Sequence, residues 1–246
     1  MLTLYHYWDS FCSFKVRLCL EEKALPWEGH HIDLMRFENL TAGYLGINPH
    51  GVVPTLLHDG RRVFESSIIN EYLDDAFPQV SLIPQDPYER SQMRWWVKHE
   101  EEELFTAVRP ASLNLMMKQA LGRYSETQLD ELLRNHPKPD RISFLKSLFK
   151  APFDHQAVTR SRDLLAAALL RMEQRLSNAP WLAGSTYSLA DVAAAPVIDR
   201  IQHLGMADLW DKHAHVSDWV RRLTARPAYR RALPLEQFRM PKALAA

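Results

Sequence analysis

The stretch from Asn48 to Tyr72, NPHGVVPTLLHDGRRVFESSIINEY, constrains the fold more than any other part of this chain. Asp59-Gly60 lies between Thr55–His58 and Arg61–Phe64, the signature of a two-residue hairpin between strands. Val53-Pro54 leads into it. Proline lacks an N–H and has a fixed φ, so it seldom precedes a central strand without purpose. A cis bond there would turn the N–H and C=O of Val53 outward, free to pair with an extended ligand. Glu65-Ser66 closes the second strand and opens a helix, with Ile68, Ile69, Tyr72 and Leu73 at helical spacing up to Ala76. Ser66 reads as the helix N-cap, where free N–H groups and the helix dipole suit a carboxylate. A backbone ladder and a carboxylate socket so close together suit a small acidic peptide.

The elements before this stretch complete a pattern. Leu2–Tyr7 reads as a strand, Phe11–Lys23 as an amphipathic helix and Trp27–Ile32 as a second strand. A helix is expected between Leu34 and Leu45, stopped before Asn48-Pro49. The order is β-α-β-α-β-β-α. Prolines at 78, 84 and 87 mark a linker, and beyond it the pattern is helical. Helices are expected from Tyr88 into the Arg109 region, over Ala111–Gly122, Glu126–Asn135, His155–Ser177, Leu189–Leu204 and Val216–Ala225. His136-Pro137-Lys138-Pro139 interrupts them, and the segment from there to Phe153 carries no assigned element. Ser188-Leu-Ala-Asp191 is a capping-box variant that marks the start of a buried helix. The expected division is residues 1–78, a linker over 79–87, and 88–246.

Thirty basic and thirty acidic residues cancel, which removes the electrostatic footprint of a nucleic-acid or anionic-membrane binder. Apolar runs such as Leu164–Leu170 fall far short of the ~20 residues that span a bilayer. The opening MLTLYHYWDS has no basic region or long apolar core, so a cytoplasmic location is expected. The two cysteines, Cys12 and Cys19, would stand about 10 Å apart on one helix, beyond the ~7 Å reach of a disulfide. Two thiols without nearby ligand spacing, and scattered histidines, point to no metal site.

Four ordered blocks cover nearly the whole chain: LYHYWDSFCSFKVRLCLEEKAL, NPHGVVPTLLHDGRRVFESSIINEYLDDAFP, WLAGSTYSLADVAAAPVIDRI and WVRRLTARPAY. Together they resemble the cytosolic glutathione S-transferase superfamily, with likeness to its bacterial β-etherase-like and zeta-like branch. The resemblance implies a thioredoxin-like α/β domain followed by an all-α domain, with glutathione as cosubstrate between them. It also implies a cis Val53-Pro54 bond and a homodimer. Val53 and Pro54 would face the cysteinyl part of glutathione, and Glu65 and Ser66 its γ-glutamyl end. Many relatives carry Lys or Gln just before the Val-Pro pair, to meet the glycyl carboxylate. Here the loop reads His50-Gly51-Val52, which leaves Asn39 and Arg36 as candidates for that contact.

Glutathione transferases stabilise a thiolate, and a hydrogen-bond donor at a helix N-terminus serves that end. Ser10-Phe11-Cys12-Ser13 offers three candidates. By resemblance, Ser10 matches the serine of zeta-like and theta-like enzymes, Cys12 the cysteine of beta-class enzymes and tetrachlorohydroquinone dehalogenases, and Ser13 the serine of β-etherases. Ser10 ranks first and Cys12 second as the catalytic residue, and Ser13 is grouped with the glutathione contacts. A serine leaves glutathione as the nucleophile toward a small hydrophobic, aromatic electrophile. A cysteine permits reductive dehalogenation or thiol transfer. A glutathione-fold protein that binds ligands without turnover is the alternative of another class. Phe11, Arg109 and Leu113 are expected in the electrophile pocket, beside Trp95, Trp96, Phe105, Met116 and Met117. Pro110 should end or kink its helix and expose Arg109. Glu100–Glu103 reads as a solvated helix face, from which one acid could reach a partner subunit's glutathione.

Overall fold

The hairpin forms as expected. In the computed structural model, which describes residues 1–241, strands β3 (Thr55–His58) and β4 (Arg61–Val63) pair antiparallel across Asp59 and Gly60. Both turn residues adopt the left-handed φ that this tight turn requires, +49° and +79°. β1 (Leu2–His6) pairs antiparallel with β3 and parallel with β2 (Trp27–His31), giving the sheet order β2-β1-β3-β4. Helices α1 (Phe11–Glu22) and α3 (Ser66–Ala76) pack together beside this sheet. Leu4, Leu18, Leu56, Ile69 and Leu73 are fully buried in that layer.

The expected helix between Leu34 and Leu45 is different. Two 3₁₀ turns, Leu34–Arg36 and Glu38–Leu40, precede a short α2 (Ala42–Ile47). The cause is local. The Asp33 carboxylate accepts the Met35 N–H, Phe37 turns left-handed at φ +57°, and the Thr41 hydroxyl caps α2. The start of α3 also differs. Ser66 is the first helical residue rather than the N-cap, and Glu65 takes the cap position at φ +63° with no side-chain cap bond.

After a connection rich in proline, the chain is helical. It forms α4 (Pro87–His99), α5 (Phe105–Ser112), α6 (Lys118–Leu121), α7 (Glu126–Leu133) and α8 (Pro139–Lys150). Then come α9 (His155–Leu176), α10 (Leu189–His203), α11 (Ala214–Ala225) and α12 (Pro227–Ala232). Residues 242–246 of the expected 88–246 span lie outside the described residues. Wide π turns, Glu100–Leu104 and Leu113–Met117, join α4, α5 and α6 into one continuous run. Pro110 sits inside α5 without ending it, because burial of Ala107, Val108 and Ala111 outweighs one missing hydrogen bond. Arg109 is therefore half-buried, its guanidinium 5.2 Å from the Phe144 ring centre, rather than exposed by a break.

α10 is buried from Leu189 to Ile201 and packs against α1, α4, α5 and α11. Its capping box is present. The Asp191 carboxylate accepts from Ser188 N, Leu182 N and Trp219 Nε1 at 3.0, 3.1 and 2.8 Å. α1 is thereby clamped between the sheet layer and the helices, with Ser13 to Leu20 all buried. A second apolar cluster joins Phe37 and Leu40 to Leu121, Leu129, Leu133 and Leu145. It fastens the 3₁₀ segment to α6, α7 and α8, and the Tyr124 hydroxyl adds a 2.7 Å bond to the Met35 carbonyl.

Candidate active site

Where the two parts of the chain meet, they enclose a cavity of about 480 Å³. That volume is in the range of small-molecule sites. Val53, Pro54, Glu65, Ser66 and Cys12 line it from the sheet side, with Asn39, Gly51 and Val52 at its edge. Phe105, Met117, Ala120, Leu121 and Leu145 line it from the helices, and Leu34, Met35 and Phe37 complete the apolar wall. His136, Lys138 and Arg141 also reach it.

The Val53-Pro54 bond is cis. Around it, Val52 O accepts from the Tyr44 hydroxyl at 2.6 Å and from Asn48 Nδ2 at 2.9 Å. Asn39 Nδ2 donates to Gly51 O at 2.7 Å. The loop is thus held from behind, while the Val53 N–H and C=O have no hydrogen-bond partner among the described residues. At the far end, Glu65 holds a left-handed φ that costs a non-glycine residue about 1 kcal/mol or more. That geometry sets Glu65 beside the open N-terminus of α3.

The three candidates on α1 separate. Ser10 is the helix N-cap, its hydroxyl accepting the Ser13 N–H at 3.3 Å. It borders a different crevice with Asp9, Phe11, Phe14, Pro196, Asp199 and Arg200, of only about 10 Å³. Ser13 is fully buried and accepts the Tyr7 N–H at 3.3 Å. Cys12 alone of the three lines the large cavity. Burial pushes its thiol above the ordinary value, while the Lys15 ammonium and the Ser66 hydroxyl pull the other way. Burial thus favours the protonated thiol at this position. Cys19 is buried, and both cysteines are free.

Phe11, Arg109 and Leu113 do not line the large cavity. Phe11 packs edge-on against Phe105, 5.3 Å between ring centres, and beneath the Arg200 guanidinium. It therefore supports the wall from behind. Arg109 borders a neighbouring groove with Lys138, Asp140, Arg141 and Phe144. Of the other aromatic and methionine candidates, Phe105 and Met117 face the cavity, Trp96 and Met116 are core, and Trp95 is half exposed and stacked on His99. Arg36 is exposed and paired with Asp33, whereas Asn39 reaches the cavity edge.

The acidic run is not uniformly solvated. Glu100 is completely buried and bonded through Oε2 to the Lys15 ammonium, itself buried, one turn beyond Cys12 on α1. Burial pushes the Glu100 carboxyl above its ordinary value, against the pull of Lys15. Glu101 to Glu103 are exposed. Glu100 follows buried Met93 and Trp96 at helical spacing, seven and four residues on, so it continues the buried face of α4 while its acidic neighbours face outward.

Residues 9–76 match the family description Glutathione S-transferase, N-terminal domain, and residues 114–227 match Glutathione S-transferase, C-terminal domain. Protein LigF of Sphingobium sp. (strain NBRC 103272 / SYK-6) is 31% identical over 235 residues, covering 92% of this chain and 91% of its own. The chain belongs to the glutathione S-transferase family. The tetrachloro-p-hydroquinone reductive dehalogenase of Sphingobium chlorophenolicum is 27% identical over 248 residues, covering 94% of this chain and 95% of its own. The crystal structure of beta-etherase LigF from Sphingobium sp. strain SYK-6 superposes with a TM-score of 0.85 at 30% identity, covering 94% of this chain and 98% of that one. The glutathione S-transferase fold expected from the blocks is present, a four-stranded thioredoxin-like sheet domain followed by helices. The chain is a glutathione transferase enzyme, and glutathione is the cosubstrate of its family. Among the described residues no helix is long and apolar enough to cross a membrane, and no cluster of His, Cys, Asp or Glu could hold a metal ion.

Proposed function

We propose that this enzyme binds glutathione along Val53, Pro54, Glu65 and Ser66 and transfers its thiolate to a small hydrophobic, aromatic electrophile. The observation that carries the reading is a single cavity lined on one side by those four residues and on the other by Phe105, Met117 and Leu121. On this reading the unpartnered Val53 N–H and C=O pair with the cysteinyl backbone. Glu65, with the Ser66 hydroxyl and the free N–H groups of α3, holds the γ-glutamyl end. Residues 1–78 supply the glutathione half of the site, 79–87 the linker and 88–246 the electrophile half. The working form is a cytoplasmic homodimer.

The thiol of glutathione then falls at the start of α1, where the helix dipole favours a thiolate. Cys12 is the donor that stabilises it, because it shares the cavity. Ser10 sets the helix end and Ser13 fixes the turn before it. The thiolate attacks the electrophilic carbon, a C–S bond forms, and the bond to the leaving group breaks. The proton lost by glutathione goes to solvent.

The same access for Cys12 favours a second reading. A glutathionyl mixed disulfide entering the cavity presents a sulfur that Cys12 can attack, its thiol proton passing to the departing sulfur, which leaves as the other thiol. A second glutathione then displaces Cys12 and leaves as glutathione disulfide. The dehalogenase similarity is consistent with such a thiol exchange.

Turnover of four substrates tests both readings: an aryl halide, an aryl-ether dimer, a halogenated hydroquinone and a glutathionyl disulfide. Cys12→Ala is expected to lower conjugation about tenfold or more, the size of one thiolate hydrogen bond. Ser10→Ala should stay within about threefold, its loss being the N-cap. The opposite ranking would return the catalytic role to Ser10. Disulfide exchange that survives Cys12→Ser sinks the second reading.

A further inference from the structure

His136, Lys138 and Arg141 bring three basic side chains to one wall of a cavity otherwise mostly apolar. Glu65 is the only acid that lines the cavity among the described residues, and it belongs to the opposite, sheet-side wall. None of the three basic groups has a carboxylate within ion-pair distance among the described residues, whereas the other two basic residues of α8, Lys146 and Lys150, pair with Asp130 and Glu126. Asp140 borders a neighbouring groove together with Arg109, Lys138, Arg141 and Phe144, without forming an ion pair with any of them. Arg141 is half-buried, its guanidinium 5.0 Å from the Phe144 ring centre, and Arg109 lies 5.2 Å from the same ring. Two guanidinium groups thus share one aromatic ring with no anion between them.

The imidazole adds a third donor. His136 Nδ1 accepts the Lys138 N–H at 3.0 Å, so Nε2 carries the proton of the neutral ring. Burial, then Arg141 and Lys138, hold His136 below its ordinary value, so it is a neutral donor at pH 7. Burial, then Arg109, also lower Arg141. A guanidinium, an ammonium and an imidazole N–H on one cavity wall, with no ion-paired counter-charge, suit a planar anion, and a carboxylate fits the guanidinium fork.

We propose that His136, Lys138 and Arg141 form a carboxylate subsite of the cavity. The proposal rests on the reading that this cavity takes glutathione. The carboxylate has two sources. One is the glycyl end of glutathione, for which the His50-Gly51-Val52 loop offers no Lys or Gln. The other is an acidic group on the electrophile.

The double variant Lys138→Gln/Arg141→Gln tests it, with Lys138→Gln alone as a variant at an exposed position that leaves packing intact. Titration calorimetry compares glutathione with γ-glutamylcysteine, which lacks the glycyl group. Steady-state kinetics compare a chloronitrobenzoate with the matching chloronitrobenzamide. If the glycyl carboxylate is the ligand, the double variant weakens glutathione about tenfold and leaves γ-glutamylcysteine unchanged. If the electrophile supplies it, glutathione binding is unchanged and KM for the benzoate rises about tenfold while the benzamide holds. Arg141→Lys, which keeps the charge, should retain part of the effect in either case. Unchanged values for all four compounds overturn the subsite while glutathione binding by the wild type leaves the cosubstrate reading standing. A wild-type enzyme that binds no glutathione overturns both.

Discussion

Glu100→Gln would strip the negative charge from a pair that has almost no access to water. Lys15 and Glu100 expose 3% and 0% of their side chains. The carboxylate is engaged through Oε2 only, and Oε1 has no partner among the described residues. Removing one member of such a pair leaves an uncompensated buried charge, typically about 3–5 kcal/mol. Glutamine can still accept one bond from Lys15, so the expected loss sits at the low end, about 3 kcal/mol. Lys15→Met/Glu100→Leu should recover to within about 1 kcal/mol of the wild type, since apolar replacements of buried ion pairs are often neutral. Urea denaturation monitored by tryptophan fluorescence, with equal slopes for all variants, measures both values. The same variants report on the thiol one turn away. Glu100 raises and Lys15 lowers the Cys12 value. Thiolate absorbance should therefore show Cys12 titrating lower in Glu100→Gln and higher in Lys15→Met. A Glu100→Gln protein as stable as the wild type, with Cys12 titration unmoved, would refute the account of a desolvated pair acting on the site.

Other consequences are equally direct. Burial pushes the Asp191 carboxyl up to about 6 despite its four hydrogen-bond donors. Its folded value exceeds the unfolded one, so its contribution is largest at low pH and falls as pH rises through about 6. The stability difference between wild type and Asp191→Asn should therefore shrink by about 1 kcal/mol from pH 5 to 7.5. A difference that grows over this range would mean that the donors outweigh desolvation. Glu65→Gly relieves the positive φ and should raise stability by about 1 kcal/mol while weakening glutathione binding. Thermal unfolding and calorimetry on one preparation check the opposing signs, and a loss of both would show that no strain is stored there. Tyr124→Phe removes the 2.7 Å bond to Met35 O and should cost about 1 kcal/mol. Amide exchange should quicken over residues 33–40, and unchanged protection there would exclude Tyr124 as a fastener.

Much of this protein is local in origin and was therefore legible in its sequence. Asp59-Gly60 specifies its turn through two left-handed residues, and Ser188 and Asp191 specify a helix start through side-chain bonds to nearby backbone. Such signals act within a few residues and need no partner. The order of strands and helices, and with it the family, follows from them. The outcome at Leu34–Leu45 differs because Asp33, Phe37 and Thr41 compete with helix formation over the same short range.

What faces the cavity is another matter. Ser10, Cys12 and Ser13 lie within one turn of a helix buried on nearly every side, so no apolar stripe distinguishes their directions. Ser10 is the N-cap with extended backbone while Cys12 lies in the first helical turn, and once α1 is clamped Cys12 lines the large cavity and Ser10 a separate crevice. Glu100 read as one acid in an exposed run, and its pairing with Lys15 depends on α4 packing that face against α1. His136 and Lys138 precede α8 and Arg141 lies in its first turn, in a stretch broken by Pro137 and Pro139, and the packing of Leu145 and Leu133 against Phe37 and Leu40 brings them to the cavity wall. By itself the sequence determined most of the elements, their order and the Val53-Pro54 and Glu65-Ser66 stretch that lines the cavity, because short-range backbone chemistry decides them. The tertiary structure decided which side chains share the cavity, because that depends on how α1 and the 136–145 segment pack against residues distant in the chain.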